Sequence, residues 1–467
     1  MKARDRLQDF GEFWAEFRQE KTGLVGLGIL VIFILLGLFG SLIVPFKDAD
    51  KHWRDIDYWQ DNPQAAPPVW TNAFSLKKGV PSSTLTSFKA EEQSQDSGVV
   101  IKTFTFDYPF VYDRPPRDLL VRVPGSGQVP LVISLERPDG LSAELYREQV
   151  ELSEGSPERI SIARNCAQST IEFIRNQDAS MANDMNADLI NPTSILFAKM
   201  DPGMLDDPVA LKGDYKIKVE ALILSSDFSV GAPSIQVSGH VSGLMGTDAS
   251  KRDVFTGIVL GIRWALIIGI LTSVISVVAG VLLGIIAAYF GGVVDWLLSR
   301  LYELVYLLPV LPFLIVISAI YKPSIWSMII LICAFFWTGS FKTVYSMTLQ
   351  IKEETYIEAA RALGSSKWRI VFKHISPILL PYSFASMALS IPAIIVYEAS
   401  VSLLGLGDST IVSWGQILES ALSQGAMINN LWWWVIPPGL MIALMGMSFA
   451  FLGTALDKIL HPKLKTR

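Results

Sequence analysis

The stretch Trp264–Phe290, WALIIGILTSVISVVAGVLLGIIAAYF, contains no charged residue. A helix of about 20 apolar residues crosses the hydrocarbon core of a bilayer, so this stretch predicts a transmembrane helix. The whole chain of 467 residues is 51% hydrophobic and 18% charged, whereas an average soluble protein has about 25% charged residues. The chain is therefore predicted to be an integral membrane protein.

Other apolar segments along the chain also have the composition of transmembrane helices, and some contain proline. Proline inside a span is tolerated where neighbouring helices satisfy the freed carbonyl groups. Six spans, some with internal prolines, predict a packed helical bundle with a pathway rather than a simple anchor. The five further segments are Thr22–Val44, Leu304–Ile320, Ser324–Phe341, Ile378–Tyr397 and Trp433–Leu456.

The distribution of lysine and arginine predicts how the spans are oriented. Basic residues are frequent in segment 1–21, in the loop between the fourth and fifth spans, and in the tail 458–467. The loop Glu398–Leu431 contains no lysine or arginine. Short loops rich in Lys and Arg stay in the cytoplasm. Both termini are therefore predicted to be cytoplasmic, and residues 45–245 to lie on the periplasmic or extracellular side.

The polar block 45–245 is long enough to form a domain of its own. Residues Tyr215–Leu222 alternate between apolar and polar, which is the pattern of a half-buried strand. We expect a β-rich, sandwich-like domain with some helix, inserted between the first and second spans. Further predicted strands are Val100–Phe106, Leu119–Val123 and Val129–Leu135, and weaker helical patterns are Ala167–Phe173 and Asp178–Leu189.

The cytoplasmic loop Lys352–Pro377 has the signals of two short helices. Thr355 and Glu358 have the spacing of a capping box, in which a Thr N-cap and a Glu three residues later satisfy each other's backbone amides. Gly364 follows where a helix end needs a left-handed residue. On these signals alone, the loop is equally well read as a plain connector whose Glu358 only caps its helix.

The second helix of this loop is predicted at Lys367–His374. Ser365 or Ser366 is its expected N-cap. We expect it to end before Pro377, because proline disfavours a helical conformation in the residue that precedes it. Each helix would be only about 12 Å long, which suits contact with a partner surface rather than membrane crossing.

Several short motifs along the chain resemble those of one transporter family. Glu358-Ala359-Ala360 with Gly364, followed by His374-Ile-Ser-Pro377, resembles the EAA motif of ATP-binding-cassette (ABC) importer permeases. Three more segments resemble the C-type subunit of the dipeptide, oligopeptide and nickel branch. They are Gly246-Thr-Asp248 with Arg252-Asp253-Val254; Glu398 to Gly407 with Ser413-Trp414-Gly415; and Trp434 to Pro438-Gly439 with the closing Gly453, Leu456-Asp457 and Pro462.

The chain departs from this branch at a few positions. Lys251 stands where the branch usually has Gly, and Thr454 and His461 stand where it usually has Asp. The block 45–245 is far longer than the connection typical of the branch. The resemblance therefore implies nothing about the role of this block.

The resemblance implies the fold of a type I ABC importer, with a six-helix transmembrane domain. Residues 22–44 would form the first helix, 45–245 the inserted domain and 246–457 the rest of the permease domain. It also implies a coupling helix that sits in a cleft of the ATPase subunit. The residues carried over to that coupling role are Thr355, Glu358, Ala359, Ala360, Gly364, His374 and Pro377.

The resemblance further implies the partners of the chain. These are a homologous permease subunit, two ATPase subunits that bind ATP and Mg²⁺, and an external substrate-binding protein, assembled in the inner membrane. The chain itself would bind no cofactor and import peptides or similar small solutes.

Four residues near the predicted outer face are candidates for the pathway or an outer gate: Arg263, Glu398, Gly405 and Gly407. An ionisable residue at a membrane boundary is a functional candidate by default. The alternative for Glu398, which we favour, is that it fixes the following Gly-rich turn by bonding to backbone amides. For Arg263 we favour an interfacial anchor over substrate binding, and Trp432–Trp434 is expected to form an aromatic belt.

The sequence contains no signature of catalysis or metal binding. No G-x-x-x-x-G-K-[ST] loop occurs, so hydrolysis of ATP is expected on another chain. The four histidines and two cysteines show no metal-ligand spacing, and the acidic outer block argues against nucleic acid as a partner.

Two other function classes remain open. A secondary transporter would need no ATPase, but it would be expected to carry more carboxylates in its spans than this sequence does. A membrane-anchored receptor would explain the large outer block. It would not explain six spans with a structured cytoplasmic loop.

Overall fold

The computed structural model describes residues 13–94, 99–153, 155–177, 185–201, 208–225, 227–321 and 324–460. Most of the terminal segments, including His461, and part of the predicted helix Asp178–Leu189 lie outside these residues. The chain divides into two compact units, one of Met1–Trp53 with Thr256–Arg467 and one of Arg54–Phe255. The second unit covers most of the block predicted at 45–245.

The first unit is helical. Among the residues that the structure describes, five helical stretches are long and apolar enough to cross a membrane, and the bent pair Gly292–Leu307 and Val310–Ile320 forms a sixth candidate with an angle of 84° between its halves. Within the described residues, the α-helices from Lys21 onward are α1 Lys21–Phe39, α2 Phe46–Lys51, α3 Ile56–Trp59, α4 Ile162–Asn165, α5 Ala167–Gln177, α6 Pro192–Leu196, α7 Val254–Phe290, α8 Gly292–Leu307, α9 Val310–Ile320, α10 Ile325–Phe336, α11 Thr338–Ile351, α12 Thr355–Ala362, α13 Lys367–Ile370, α14 Ser376–Val401, α15 Trp414–Ser423 and α16 Trp432–Leu460.

Two predicted spans differ from the observed helices. The predicted third span, Leu304–Ile320, is not one straight helix. Leu308 is extended (ψ 133°) and Pro309 is the N-cap of α9, because a residue before proline avoids the helical region. The second span begins at Val254 rather than Trp264. Arg263 therefore lies well inside α7 and not at its start.

Small residues allow the helices of the first unit to approach closely. A Cβ atom at Gly280 of α7 would lie 2.2 Å from the carbonyl oxygen of Trp337, beside the start of α11. A Cβ atom at Gly26 of α1 would lie 2.6 Å from the carbonyl oxygen of Ser448 in α16. Close backbone approach through small residues is a common way to pack membrane helices, because lipid provides no hydrophobic force between them.

The second unit is β-rich, as predicted. A four-stranded sheet has the order β1-β10-β4-β7, and a larger sheet has the order β2-β3-β8-β5-β6, with β9 paired to β5. All these pairings are antiparallel. The strands are β1 Ser83–Leu85, β2 Lys89–Ser94, β3 Val100–Phe110, β4 Asp118–Val123, β5 Gly125–Glu136, β6 Ser142–Leu152, β7 Glu158–Ser161, β8 Gly213–Ile223, β9 Ser229–Val230 and β10 Ser234–Ser238.

Both sheets contribute to one hydrophobic core. In β8, Tyr215, Ile217 and Val219 are buried while the intervening residues are at least partly exposed, which is the predicted alternation. Val121 of β4 and Ile235 of β10 belong to the same cluster. Side chains of α5 and α6 join this cluster. The four strands and the helix predicted at Ala167–Phe173 are thus confirmed, whereas β1, β2, β6, β7, β9 and β10 were not predicted.

Candidate functional site

Helix α12 carries most of the EAA-like residues, and its start differs from the prediction. Glu354 has the extended backbone of an N-cap (ψ 140°), and its carbonyl accepts from the amide of Glu358 at 3.2 Å. Thr355 is therefore the first helical residue and not the cap. The predicted capping box between Thr355 and Glu358 is wrong, because the non-helical residue lies one position earlier. At the N-terminus of α12, the N-cap Glu354 makes no capping hydrogen bond with its side chain.

The end of α12 confirms the predicted role of Gly364. This glycine is left-handed, with φ +78°. Its amide donates to the carbonyl of Arg361 at 3.0 Å, and the amide of Ser365 donates to the carbonyl of Ala360 at 3.0 Å. These two bonds are the 5→2 and 6→1 pair of a Schellman motif. The chain therefore turns sharply after α12 at a position that favours glycine.

One face of α12 is packed into the helical bundle. Ile357 is fully buried, and Ala360, one turn later, is 9% exposed. Ile357 belongs to a core cluster that includes Val281 of α7, Val344 of α11 and Leu379 of α14. Helix α12 is thus joined by apolar contact to three long helices. We call this cluster the coupling core; its buried members are Val277, Val281, Ile285, Val344, Ile357, Ile370, Val371, Ile375 and Leu379.

The opposite side of the loop presents an exposed and partly apolar surface. Leu363 is 87% exposed, and the rings of Tyr356, Trp368 and Phe372 are also exposed. We call these four residues the apolar loop surface. Of the residues predicted to act in coupling, Thr355, Glu358, Ala359, Gly364 and Pro377 are exposed, His374 is half-buried, and Ala360 faces the bundle.

The second half of the loop begins as predicted but does not end as predicted. Ser366 caps α13 by accepting a hydrogen bond from the amide of Arg369 at 3.3 Å. The helix then continues through a π-helical turn, Val371–Ile375, into α14, so it does not end before Pro377.

The π-helical turn explains how proline is tolerated there. Pro377 has no amide proton, and its ring excludes the carbonyl four residues before it. The amide and the hydroxyl of Ser376 both donate to the carbonyl of Val371, the hydroxyl at 2.9 Å. This wider turn lets one helix run from the loop into the membrane span. Lys367 and Trp368 of α13 also lie against the ring of Phe290 at the end of α7.

Glu398 lies near the end of α14 and is buried. Its Oε1 accepts a hydrogen bond from the hydroxyl of Ser402 at 2.8 Å, and the hydroxyl of Ser413 also interacts electrostatically with this carboxyl group. The hydroxyl of Ser413 also caps α15 by accepting from the amide of Gln416 at 3.3 Å. The prediction that Glu398 fixes the following turn is thus supported, but its partners are hydroxyl groups and not backbone amides.

The two glycines predicted beside Glu398 shape the same turn. Gly405 is left-handed with φ +78°, inside a π-helical segment Ser402–Leu406. A Cβ atom at Gly407 would lie 2.3 Å from the hydroxyl oxygen of Ser402. Asp408 follows, and its Oδ2 accepts from the amide of Ile325 at 2.8 Å at the start of α10. Ser402 and Ser413 lie within the quoted motif and Asp408 directly follows Gly407, but sequence reasoning assigned none of the three a role.

Arg263 does not take part in this cluster. Its guanidinium carbon lies 5.9 Å from the centroid of the Trp264 ring. The side chain is exposed and lines a cavity of about 490 Å³ with apolar residues of α1 such as Ile34 and Leu38. The structure therefore separates Arg263 from the Glu398 turn.

The predicted aromatic belt at Trp432–Trp434 is only partly correct. Trp432 is 40% exposed, whereas Trp433 and Trp434 are buried in the bundle. Consecutive residues on a helix point about 100° apart, so three adjacent tryptophans cannot all face lipid.

The segment Gly246–Val254, which resembles a motif of the branch, forms a compact turn before α7. Asp248 Oδ2 accepts from Arg252 Nε at 2.6 Å, and Asp248 Oδ1 accepts from the amide of Arg252 at 2.8 Å. Burial raises the pKa of the Asp248 carboxyl, and the charge and hydrogen bonds of Arg252 oppose that rise. The hydroxyl of Thr247 donates to the carbonyl of Pro63 at 2.6 Å. The hydrogen bonds of this motif thus stabilise the turn within its own unit.

Among the described residues, no group of three or more His, Cys, Asp or Glu side chains is placed to hold a metal ion. Cys166 is buried as a free thiol, and burial raises its pKa to about 12. A thiol with a raised pKa is a poor nucleophile at neutral pH.

Comparison with known proteins identifies the family. Residues 280–466 match the model of the family described as "Binding-protein-dependent transport system inner membrane component". Residues 10–68 match the model of the "N-terminal TM domain of oligopeptide transport permease C". The two matched regions flank most of the β-rich unit.

Curated relatives agree with both matches. The chain is 33% identical to the dipeptide transport system permease protein DppC of Bacillus subtilis, over 47% of this chain and 68% of that protein. It is 33% identical to the oligopeptide transport system permease protein OppC of Haemophilus influenzae, over 47% of this chain and 70% of that protein. A DppC protein of Alkalihalophilus pseudofirmus is 32% identical over 52% of this chain and 80% of that protein.

A solved structure of the MetNI methionine ABC transporter aligns with 43% of this chain and 96% of its own chain, at 17% identity and a TM-score of 0.34. The family models and the curated relatives carry the assignment. This chain therefore belongs to the family of inner-membrane permeases of binding-protein-dependent ABC transport systems, in the branch of the DppC and OppC proteins.

Proposed function

We propose that this chain forms half of the translocation pathway of an ATP-driven importer for peptides or similar small solutes. It would pair with a homologous permease, dock on two ATPase subunits and receive solute from an external binding protein. Family membership supports this assembly. Relatives named for the transport of dipeptides, oligopeptides and glutathione support the solute class.

The observation that carries the proposal is the two-sided environment of helix α12. On its inner face, Ile357 belongs to the coupling core and Ala360 is also buried. The apolar loop surface, by contrast, is exposed. A close-packed core transmits displacement, because side chains cannot be compressed into voids. A push on α12 would therefore move α7, α11 and α14 together.

This geometry supports an alternating-access mechanism that needs no catalytic residue on this chain. Closure of the ATPase dimer would displace α12, and the paired bundles would open toward the binding protein. The unbroken helix from Lys367 through the π-helical turn into α14 offers a second rigid path for the same displacement. ATP and Mg²⁺ would be bound and used on the partner chains.

The orientation of the chain follows from its charge pattern. The loop Lys352–Pro377 and both termini would be cytoplasmic, since their basic residues obey the positive-inside rule. The β-rich unit would then lie on the opposite, periplasmic side of the inner membrane. There it would brace the binding protein or form part of the route by which solute enters. Deletion of residues 60–235 should then impair uptake and leave ATPase docking intact, and unchanged uptake would refute this role.

Docking is tested most directly at Leu363. This side chain is 87% exposed, so Leu363→Asp should leave the fold intact while placing a charge in the proposed interface. The matched control is Leu76→Asp, because Leu76 is a fully exposed leucine of the other unit. Co-purification of the ATPase subunits from membranes expressing each variant is the measurement. Loss with Leu363→Asp alone supports the proposal, and retention of the ATPases by that variant contradicts it.

A further inference from the structure

A cavity of about 760 Å³ lies within the β-rich unit. Its lining includes three cationic side chains, Arg159, Arg164 and Lys251, together with the polar side chains of Gln60 and Gln64. Sites for small ligands typically have volumes of about 300–1,000 Å³. Nothing in the coupling role described above uses these residues.

Lys251 occupies a strained backbone position. Its φ is +66°, in the left-handed region where a residue with a Cβ atom is disfavoured by roughly 1–3 kcal/mol. Glycine, which has no Cβ atom, would adopt this conformation freely. The Lys251 ammonium donates to the carbonyl of Gln60 at 3.1 Å, beside the cavity. The strained backbone of Lys251 thus carries a cationic side chain that lines the cavity.

Arg159 is held in a fixed orientation at the same wall of the cavity. Its guanidinium donates to the backbone carbonyl of Gln60 at 2.8 Å, to Gln60 Oε1 at 2.9 Å and to Asp61 Oδ1 at 3.1 Å. The carboxylate of Asp61 also pairs with Arg122. One carboxylate is thus shared by two guanidinium groups, which leaves net positive charge at this wall.

The charges of the cavity interact with each other. Burial lowers the pKa of the Lys251 ammonium, and the positive charges of Arg159 and Arg164 lower it further, against the opposing effect of Asp118 and Asp61. The Asp118 carboxylate accepts from the hydroxyl of Ser161 at 2.5 Å and from the amide of Ala163 at 3.0 Å, so it is already engaged. Positively charged side chains that repel one another in a cleft attract an anion, because the anion offsets that repulsion.

We propose that this cavity binds the carboxylate of a small solute, with Lys251 and Arg164 contacting the anion and Arg159 supplying fixed positive charge. Asp118 and Asp188 also line the cavity, so its charge balance suits a monoanion or a zwitterion better than a phosphate dianion. The choice of a peptide C-terminus as that carboxylate rests on the proposed importer function. The β-rich unit would then bind solute rather than serve only as a brace.

The test uses the purified full chain in detergent, with binding of dialanine followed by isothermal titration calorimetry. Dialanine amide lacks the carboxylate, and inorganic phosphate probes general anion binding. We expect dialanine to bind, and the amide to bind at least tenfold more weakly, because charge-assisted hydrogen bonds are the strong ones. Equal binding of dialanine and its amide, or tighter binding of phosphate than of dialanine, would overturn the carboxylate assignment.

Lys251→Gly is the decisive variant, because glycine relieves the backbone strain and so should not destabilise the fold. We expect it to weaken dialanine binding roughly tenfold, with unchanged or higher thermal stability. Ala65→Gly is the matched control, since Ala65 also has a positive φ, of +48°, in the same unit but carries no charge. Wild-type affinity in Lys251→Gly, or an equal loss in Ala65→Gly, would refute the site.

The two proposals fail separately. Binding of dialanine requires no ATPase, so failure of ATPase docking leaves this result unchanged. If the chain still binds its ATPases but does not bind dialanine, the cavity proposal is refuted and the proposal of ATPase docking stands.

Discussion

The hydroxyl of Ser402 donates a hydrogen bond of 2.8 Å to Oε1 of the buried carboxyl group of Glu398, one helical turn before it. The bond spans the point where α14 passes into the π-helical segment Ser402–Leu406. Through Ser413, the same carboxyl group is linked to the N-terminus of α15. Glu398 therefore joins the end of one helix to the start of the next across a Gly-rich turn.

Removal of this carboxyl group should destabilise the bundle. Glu398→Ala leaves the hydroxyl of Ser402 without its acceptor, at a cost of about 1–3 kcal/mol for a buried group left unpaired. Glu398→Gln keeps an acceptor oxygen and should lose less. Thermal unfolding of the purified chain is the measurement, with the exposed Glu353→Ala as control. A direct role in the pathway, rather than in the turn, would appear as lost uptake with unchanged stability in Glu398→Ala.

Truncation of Ile357 should loosen the coupling core. This side chain is fully buried, and Ile→Ala changes at such sites cost about 2–5 kcal/mol. We expect Ile357→Ala to lower uptake while bound ATPases continue to hydrolyse ATP, because α12 would no longer move with α7, α11 and α14. Uptake and ATP hydrolysis in reconstituted vesicles are the two readouts. The control Leu363→Ala, on the exposed side, should leave the ratio of uptake to ATP hydrolysis closer to that of the wild type. An equal fall in both rates for Ile357→Ala would argue against mechanical coupling.

Replacement of Gly364 should disturb the end of α12. Its φ of +78° makes a Cβ atom unfavourable by about 1–2 kcal/mol, although no neighbouring atom blocks the space. Gly364→Ala should weaken ATPase co-purification, and Gly364→Pro should abolish it, because proline cannot adopt a positive φ. Gly439→Ala is the control, since Gly439 lies within α16 with no atom near its missing Cβ. ATPase retention by Gly364→Pro would mean that this turn is not needed for docking.

The stability of the β-rich unit should fall at acidic pH because of His240. Burial, reinforced by the charges of Arg117 and Arg114, lowers the pKa of His240 to about 4, from about 6.5 in the unfolded chain. Between pH 6.5 and pH 4 the unfolded state therefore binds more protons, so stability decreases as pH falls through this range and is unaffected above it.

Amide hydrogen exchange of strand β10, measured on the full chain at pH 7 and pH 5 with correction for intrinsic exchange rates, tests this dependence. His240→Gln should reduce the loss of protection at pH 5, since glutamine does not titrate. The same pH dependence in wild type and His240→Gln would assign the effect to other groups.

The spans and strands were predictable because they follow from local patterns. Long apolar runs such as Trp264–Phe290 and the alternation in Tyr215–Leu222 need no tertiary information. The left-handed Gly364 was predictable for the same reason, since it depends on its own φ and on the helix just before it. Strands such as β6, rich in charged residues, were missed because their burial depends on neighbours across the sheet.

Other features could not be predicted because they depend on contacts between distant segments. The helix that passes Pro377 persists because Ser376 and the π-helical turn accommodate the missing amide. The partners of Glu398 are hydroxyls on two different elements, and the cations around Lys251 come from separate stretches of the β-rich unit.

By itself, the sequence determined the membrane class, the glycine turn of the loop Lys352–Pro377, and the β-rich character of the block 45–245. These depend on hydrophobic period and backbone preference, which act over a few residues. Only the tertiary structure decided which face of α12 is buried, what holds Glu398, and that Lys251 lies beside Arg159 and Arg164. These depend on packing and charge between residues far apart in the chain, and a single sequence does not record such distances.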